Sequence, residues 1–238
     1  MIKSIARKAK GAVFLCVLAG LMMAACSPSP SVNLELDSEV LALALDTKKL
    51  PVNIEENSQE DIISLYYKDL QTRPKVVDFF SALTKSKPVA LAILESACKH
   101  RVPASLAFAI AYEESRFNPK ALGKNPGSVD RGLFQLNSIT FPEMSETQAF
   151  DPEYNASEGM KYFRHVLDIS GNEVAALAMY NAGRTRVSQK GAPVKTLDYI
   201  SRVQTYEENI ASLFTAKVVA QKGLVGRVRL GLAAGRAD

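Results

Sequence analysis

Apolar residues recur at steps of three and four from residue 59 onward, a spacing that predicts helices. The first predicted helix covers residues 59–70. Pro74 and Pro88 favour the starts of two more, because proline fits the first turn of a helix. The segment PASLAFAIAYEES predicts a fourth helix that stops near Asn118-Pro119, since the residue before proline avoids helical geometry. Its nearly continuous apolar run predicts a helix that is buried on most sides.

Capping signals predict further helices in the second half of the chain. Asp151 and Pro152 are a good cap and first-turn pair for a helix that runs to about Ile169. In NEVAALAMYNAG, Asn172 is a plausible cap and Gly183 a stop signal. A last helix is indicated by a stripe formed by Tyr199, Val203, Tyr206, Ile210 and Phe214. No stretch alternates convincingly as a strand, so the pattern predicts an all-α globular domain.

The first 25 residues have the character of an export signal. A basic start precedes an uncharged, mostly apolar run from Gly11 to Ala25, which is too short to span a bilayer comfortably. The end of that run, LMMAAC, resembles the lipobox of bacterial lipoproteins, in which cleavage precedes the cysteine and that cysteine carries lipid. The resemblance implies lipidation of Cys26, membrane attachment through it, and a mature protein at the cell envelope. The alternative is an ordinary signal peptide with a chance cysteine.

Removal of the signal changes the charge of the chain. The 238 residues include 29 Lys and Arg against 25 Asp and Glu, and residues 1–25 contain four basic residues and no acid. The mature protein is therefore formally neutral, and its overall charge gives no support for nucleic-acid binding. Residues 216–238 form a basic C-terminal tail, which we interpret as solvated.

Cysteine and histidine usage indicates no metal site. Beyond Cys16 in the signal and Cys26, only Cys98 remains, and its helical surroundings favour a small core residue over a nucleophile. His100 and His165 are too few for a metal cluster. We predict neither a metal nor another cofactor.

Candidate chemistry centres on three acids in AYEESRFNPKALGKNPGSVDRGLFQLNS. Glu113 and Glu114 end the apolar helix, where desolvation would favour a protonated carboxyl group able to act as a general acid. Periodicity cannot separate the two glutamates, because each has apolar residues three, four and seven positions earlier. Asp130 follows after a turn-rich loop, and a backbone-bonding loop acid is its plainest interpretation.

Four ordered motifs, ESRFNPKA, GLFQLNS, DPEYNASEGMKYF and ALAMYNAG, resemble the catalytic domain of soluble-type (SLT) lytic transglycosylases. The likeness covers about Val89 to Val203 and extends weakly back to VVDFFSALTKS. It implies a lysozyme-like, goose-type fold. The chain then divides into a signal peptide (1–25), a tether with a possible short helix (26–58), an N-terminal helical extension (59–87), a catalytic domain (88–215) and the tail (216–238).

The resemblance also implies an activity. In this family the glutamate of the E-S-x-x-N-P motif is the sole catalytic acid and base, which assigns that role to Glu114. The substrate is the peptidoglycan glycan strand, cut at the β-1,4 bond between N-acetylmuramic acid and N-acetylglucosamine with formation of a 1,6-anhydro sugar. One carboxyl group suffices because the attacking hydroxyl belongs to the same sugar ring.

The same resemblance implies a set of substrate-binding residues, with the Tyr180 hydroxyl directed at the catalytic acid: Ser115, Ser128, Asp130, Gln135, Tyr180 and Asn181. The chain departs from the family pattern in several places. Ser128, in a longer loop, stands in for a serine that usually follows the first motif. Arg184 replaces a proline after Y-N-A-G, and Lys195 replaces a glutamate before T-x-x-Y.

Two alternatives stay open at this stage. GSVDRGLFQLNS also resembles the segment of animal-type lysozymes that carries a second carboxylate, so a muramidase that uses Glu114 and Asp130 is one rival. A non-catalytic wall-binding lipoprotein is the other. Partner proteins of the envelope machinery are not identified by the sequence.

Overall fold

The computed structural model describes residues 61–220. The predicted signal, Cys26, the tether with its possible helix and the tail beyond residue 220 lie outside these residues. The helices are α1 (Ile62–Lys68), α2 (Arg73–Thr84), α3 (Lys87–His100), α4 (Ala104–Ser115), α5 (Glu146–Phe150), α6 (Pro152–Ser170), α7 (Glu173–Ala182), α8 (Arg184–Lys190) and α9 (Val194–Phe214), which continues into a π-helical turn (Thr215–Val219). No helix within residues 61–220 is both long enough and apolar enough to cross a membrane.

The capping signals read from the sequence are used as predicted. Pro74 and Pro88 lie in the first turns of α2 and α3. The Asp151 side chain accepts a hydrogen bond from the Tyr154 amide at the start of α6. Asn172 caps α7 in the same way, by accepting from the amide of Ala175. These bonds satisfy amide groups that have no partner within the first turn of a helix.

Helix α4 is buried as its apolar run predicts, with every residue from Ala104 to Ala111 buried. It ends at Ser115, before the Asn118-Pro119 pair predicted to stop it. Arg116 and Phe117 both adopt left-handed backbone geometry, with φ of 53° and 64°, and this ends the helix. The turn leaves Glu113 and Glu114 in the last turn of α4.

A small antiparallel sheet is the main departure from the predicted architecture. Its strands are β1 (Leu122–Asn125), β2 (Ser128–Arg131) and β3 (Leu136–Asn137), in the order β1-β2-β3. Strands this short leave almost no room for the alternation of apolar and polar residues that marks a strand in a sequence. The described residues are otherwise helical, as predicted.

The predicted N-terminal extension shares one core with the helices that follow. The ring of Phe80 in α2 stacks on Phe108 in α4 at a centroid distance of 4.0 Å, and Tyr66 in α1 meets Phe214 in α9 edge to face at 5.9 Å. Val218, beyond the boundary predicted at residue 215, is also buried. Helix α3 packs against α6, and α9 packs against α4, so α9 is held beside the end of α4 that carries the acids.

Asn155 holds the segment that bears the sheet against α6. Its buried side chain accepts from the amide of Phe134 at 2.8 Å and donates to the carbonyl groups of Arg131 and Ala149 at 2.9 and 2.8 Å. Gly132, with φ of 79°, lies so close that a Cβ there would stand 2.3 Å from the Asn155 amide nitrogen. Only glycine fits at this position, and the close approach places the sheet relative to α6.

Candidate active site

Glu114 lies in the last turn of α4 and lines a cleft of about 570 Å³. Its side chain is only partly accessible, and burial is the main cause that raises the pKa of its carboxyl group to about 7. A hydrogen bond from the Tyr199 hydroxyl acts in the opposite direction, while the nearby negative charges of Asp130 and Glu113 raise the pKa further. A carboxyl group with this pKa can both give and take a proton near neutral pH.

Glu113 has a different environment, although it is the adjacent residue. Its carboxylate accepts from Nη1 of Arg116 at 3.0 Å and from Nε of Arg202 at 2.8 Å. The Arg116 guanidinium also lies over the ring of Tyr112, 4.1 Å from its centroid. The side chain of Glu113 is 6% exposed and is not part of the cleft wall. The structure therefore separates two glutamates that periodicity could not distinguish.

The hydroxyl group that donates a hydrogen bond to Glu114 belongs to Tyr199 and not to Tyr180. Tyr199, in α9, donates to Oε1 of Glu114 at 2.8 Å. Tyr180 lines the same cleft, but its hydroxyl donates to the carbonyl oxygen of Phe134 at 2.9 Å. The Tyr180 hydroxyl, expected to point at the catalytic acid, is thus bonded to the backbone and not to Glu114. Burial, followed by the charge of Glu114, raises the pKa of both phenols well above 10, so the Tyr199 hydroxyl stays protonated as a donor.

Asp130 lies on β2 and lines the cleft together with Glu114. Its Oδ2 accepts from the side-chain amide of Asn125 at 2.6 Å, and its Oδ1 accepts from that of Asn137 at 2.7 Å. The Asn137 amide also donates to Oγ of Ser128 at 3.0 Å. Asp130 is therefore held by side-chain amides on a strand, and not by backbone amides in a loop. Both of its carboxyl oxygens already have a hydrogen-bond donor.

The structure brings most of the predicted substrate residues together in one cleft: Ser128, Asp130, Gln135, Tyr180 and Asn181. Ser115 is not among the lining residues. Its hydroxyl donates to the carbonyl oxygen of Ala111 within α4, at 3.0 Å. The hydroxyl of Ser115 therefore bonds to the backbone at the end of the helix. The structure does not place Ser115 where the predicted sugar contact would be made.

The two amide side chains are fixed by bonds to the protein. Gln135 has left-handed backbone geometry, with φ of 46°, and its Nε2 donates to the carbonyl groups of Ala121 and Gly132 at 3.2 and 3.0 Å. Asn181 accepts at Oδ1 from the hydroxyl of Thr196 at 2.8 Å. Each side chain thus presents its remaining polar atoms in a defined orientation. Acetamido groups, which carry one N–H and one carbonyl, are suitable partners.

Several cleft residues were missed by the sequence analysis. Tyr199 was assigned only to the buried stripe of α9, and Asn125, Asn137 and Thr196 had no assigned role. The T-x-x-Y motif contained a usable signal, because Thr196 bonds to Asn181 and Tyr199 bonds to Glu114, and both of these partners line the cleft. The asparagines had no comparable signal, since their contact with Asp130 depends on strand pairing.

The arrangement suits proton transfer to and from one bound group. Glu114 supplies a carboxyl group with a pKa of about 7, and Asp130 supplies a second carboxyl group on the cleft wall. Within residues 61–220, no three His, Cys, Asp or Glu side chains are placed to hold a metal ion together. The chemistry that the described residues support is acid-base catalysis on a ligand of sugar size.

Comparison with known proteins agrees with this geometry. The profile of the transglycosylase SLT domain matches residues 92–202. Invasion protein IagB of Salmonella typhimurium is 35% identical over 89 residues, which cover 34% of this chain and 56% of that protein. Membrane-bound lytic murein transglycosylase F of Desulfosudis oleivorans is 31% identical over 111 residues, which cover 44% of this chain and 23% of the relative.

The same-named protein of Vibrio campbellii is 37% identical over 82 residues, which cover 32% of this chain and 15% of the relative. The chain thus spans about half the length of the IagB proteins and under a quarter of the transglycosylases F. No solved structure matches the chain.

Proposed function

We propose that this chain, which carries a transglycosylase SLT domain over residues 92–202, is a lytic transglycosylase that cleaves peptidoglycan glycan strands. The observation that carries the proposal is the state of Glu114. Its carboxyl group has a pKa of about 7 and lines a cleft large enough for a sugar. Its Oε1 accepts a hydrogen bond from the Tyr199 hydroxyl. The relatives named lytic murein transglycosylase support the same activity.

The proposed reaction uses Glu114 twice. As an acid, it donates its proton to the oxygen of the β-1,4 bond between N-acetylmuramic acid and N-acetylglucosamine, and the bond to C1 of the muramoyl residue breaks. As a carboxylate, it then accepts the proton of the muramoyl C6 hydroxyl while that oxygen bonds to C1. The proton gained in the second step replaces the one lost in the first, so the enzyme is regenerated. The product has a 1,6-anhydro ring, and no water is consumed.

Tyr199 stabilises the carboxylate state of Glu114 in this scheme. Its hydroxyl is a fixed donor to Oε1, and a donor stabilises the carboxylate more than the neutral acid. Burial favours the neutral acid, and the two influences partly offset each other. A pKa near the working pH is the best compromise for a group that must donate and then accept one proton.

We propose that the remaining cleft residues bind the saccharide. Gln135 and Asn181 offer amide groups to acetamido substituents, Ser128 and Asp130 offer polar atoms from β2, and Tyr180 packs along the wall. The amide atoms are already positioned by bonds to Gly132 and Thr196, so binding costs little side-chain entropy.

A muramidase remains the second candidate, on one specific observation. Asp130 lines the cleft with Glu114, and its charge contributes to the raised pKa of that residue. In a hydrolase, the Asp130 carboxylate would support the attack of water on C1. The asparagine bonds to both of its oxygens favour an electrostatic role over a role as a base.

Digestion of purified peptidoglycan in water enriched in ¹⁸O separates the candidates. A transglycosylase leaves 1,6-anhydromuramoyl ends without label, whereas a muramidase leaves reducing ends that carry one ¹⁸O. We expect unlabelled anhydro ends, and at least about a hundredfold fewer products from the Glu114→Gln variant. Labelled reducing ends alone would replace the proposal with the muramidase. Wall binding that persists without any turnover by the wild type would indicate the non-catalytic lipoprotein.

We further propose that the protein is attached to the cell envelope through lipidated Cys26. Two of the relatives are named membrane-bound, and LMMAAC at residues 21–26 resembles a lipobox. Fractionation of cells that express the wild type or Cys26→Ala tests this proposal. The variant should leave the membrane fraction, and equal membrane association of both proteins would refute the anchor.

A further inference from the structure

A second cavity of about 500 Å³ adjoins the cleft, and its side chains carry positive charge. We call it the basic recess and define it by Tyr162, His165, Arg184, Thr185 and Arg186. It contains no acidic residue. The cleft contains two, Glu114 and Asp130. The two cavities therefore differ in the charge that they present to a ligand.

The two cavities are neighbours along one surface. Both are lined by Thr140, Tyr162, Ala182 and Gly183. Gly183 ends α7, and no atom lies within 4 Å of the position where a Cβ would stand. A ligand in the cleft can thus extend past small residues into the basic recess.

The arginines of the basic recess differ from the three arginines that form ion pairs within residues 61–220. Arg202 and Arg116 bind Glu113, and Arg164 binds Asp168. Arg184 and Arg186 are exposed and form no ion pair with any carboxylate in residues 61–220. A guanidinium group is well suited to bind a carboxylate through two parallel hydrogen bonds.

The wall between the cavities is close to one of these charges. Burial raises the pKa of the Tyr162 phenol, and the positive charge of Arg184 partly offsets this rise. The Arg184 guanidinium therefore acts on a side chain that also lines the cleft.

We propose that the basic recess binds a carboxylate carried by the muramoyl residue of the substrate. This inference rests on the proposed function. The muramoyl residue bears a lactyl group, whose carboxylate is either free or joined to a peptide stem that has carboxylates of its own. Arg184 and Arg186 bind that carboxylate while the sugar occupies the cleft, and a strand without carboxylates gains nothing from them.

The test uses the full-length Arg184→Gln/Arg186→Gln double variant and Lys190→Gln as a matched control. Lys190 lies on the same helix α8, is exposed, and is absent from both cavities. Kinetics are measured on intact strands and on strands stripped of peptide by an amidase. The double variant should raise KM about three- to tenfold on a carboxylate-bearing substrate, and high salt should reduce the difference.

The pattern across substrates identifies the source of the carboxylate. An effect on stripped strands assigns the lactyl group, and an effect on intact strands alone assigns the peptide stem. The proposal is overturned if the double variant matches Lys190→Gln on both intact and stripped strands.

A binding measurement separates this proposal from the proposed function. Calorimetry with the Glu114→Gln variant, with and without the two arginine changes, compares a muramoyl peptide disaccharide and its peptide-free form with chitobiose. Arginine-dependent binding of either muramoyl ligand supports the basic recess even if the wild type produces no anhydro ends. Equal binding with and without the arginines rejects the recess even if anhydro ends are formed.

Discussion

Glu113 and Glu114 differ by one position in the sequence and by their entire surroundings in the structure. Glu113 faces two guanidinium groups and is held as one half of a small ion-pair network. Glu114 faces the cleft, the Tyr199 hydroxyl and the charge of Asp130, and its pKa rises to about 7. One step along a helix rotates a side chain by about 100°. Because of that rotation, Glu113 is a carboxylate held in ion pairs, whereas Glu114 is a group suited to proton transfer.

The largest expected effect is the loss of activity on removal of the Glu114 acid. Glu114→Gln keeps the shape of the side chain but cannot exchange a proton, so turnover should fall by about 10²- to 10⁴-fold. Glu113→Gln is the matched control and should keep most of the activity. The measurement is the release of anhydromuropeptides. Comparable losses in both variants would mean that the two acids are not functionally distinct.

The stability of the same variant should depend on pH. The pKa of Glu114 is about 7 in the folded state and about 4.5 in the unfolded state. Between these two pH values the unfolded protein releases the proton and the folded protein keeps it, so the wild type loses stability as pH rises through this window. Relative to the wild type, Glu114→Gln should gain about 1–3 kcal/mol in unfolding free energy across this window.

Denaturant titrations at pH 4.5 and pH 8 measure the difference in unfolding free energy. The pKa of Glu207 is also raised to about 7, chiefly by burial, but Glu207 is present in both proteins and its contribution cancels. A difference that is independent of pH would show that Glu114 titrates normally in the folded state.

Tyr199→Phe tests the hydroxyl bond on the acid. Loss of this donor should reduce turnover by about tenfold and raise the pKa of Glu114, so that the alkaline limb of the pH-rate profile moves to higher pH. Tyr206→Phe is the control, because Tyr206 lies on the same helix but stacks on Tyr112 at 3.9 Å, away from the acid. An unmoved alkaline limb in Tyr199→Phe would contradict the assignment.

The smallest effect concerns the ion pairs of Glu113. Glu113→Gln should destabilise the fold by about 1 kcal/mol, because both arginines are more than half exposed and return to water when the pairs are lost. The unfolding free energy in low and high salt gives the measurement. A cost several times larger would place the network among the main supports of the active helix.

The helical framework could be predicted from the sequence because its signals are local. Asp151 before Pro152, and Asn172 before an apolar run, each act on the turn that follows them. The choice of Glu114 over Glu113 needed a family resemblance, since both glutamates have apolar neighbours at helical spacing. Its physical basis lies in α9, which brings Tyr199 to one acid and Arg202 to the other.

The parts that escaped prediction depend on contacts between distant segments. The clamp on Asp130 needs β1 and β3 on either side of β2, and these strands are too short to be recognised by alternation. Tyr180 lines the cleft and Tyr199 does not, yet it is Tyr199 that packing brings to the acid. The basic recess could not be predicted from the sequence either. Arg184 and Arg186 have the pattern of ordinary solvated helix residues, and only the structure shows that they line a cavity with Tyr162 and His165.

The three bonds of Asn155 also bear on how the protein folds and fluctuates. A sheet with strands of four, four and two residues is not stable by itself, and Asn155 links its segment to a helix of 19 residues. The sheet should therefore form late, after α6 is in place, and should not open independently of that helix. Its amide protons should exchange with solvent at rates close to those of the helical core, so that Asp130 belongs to the same cooperative unit as the core.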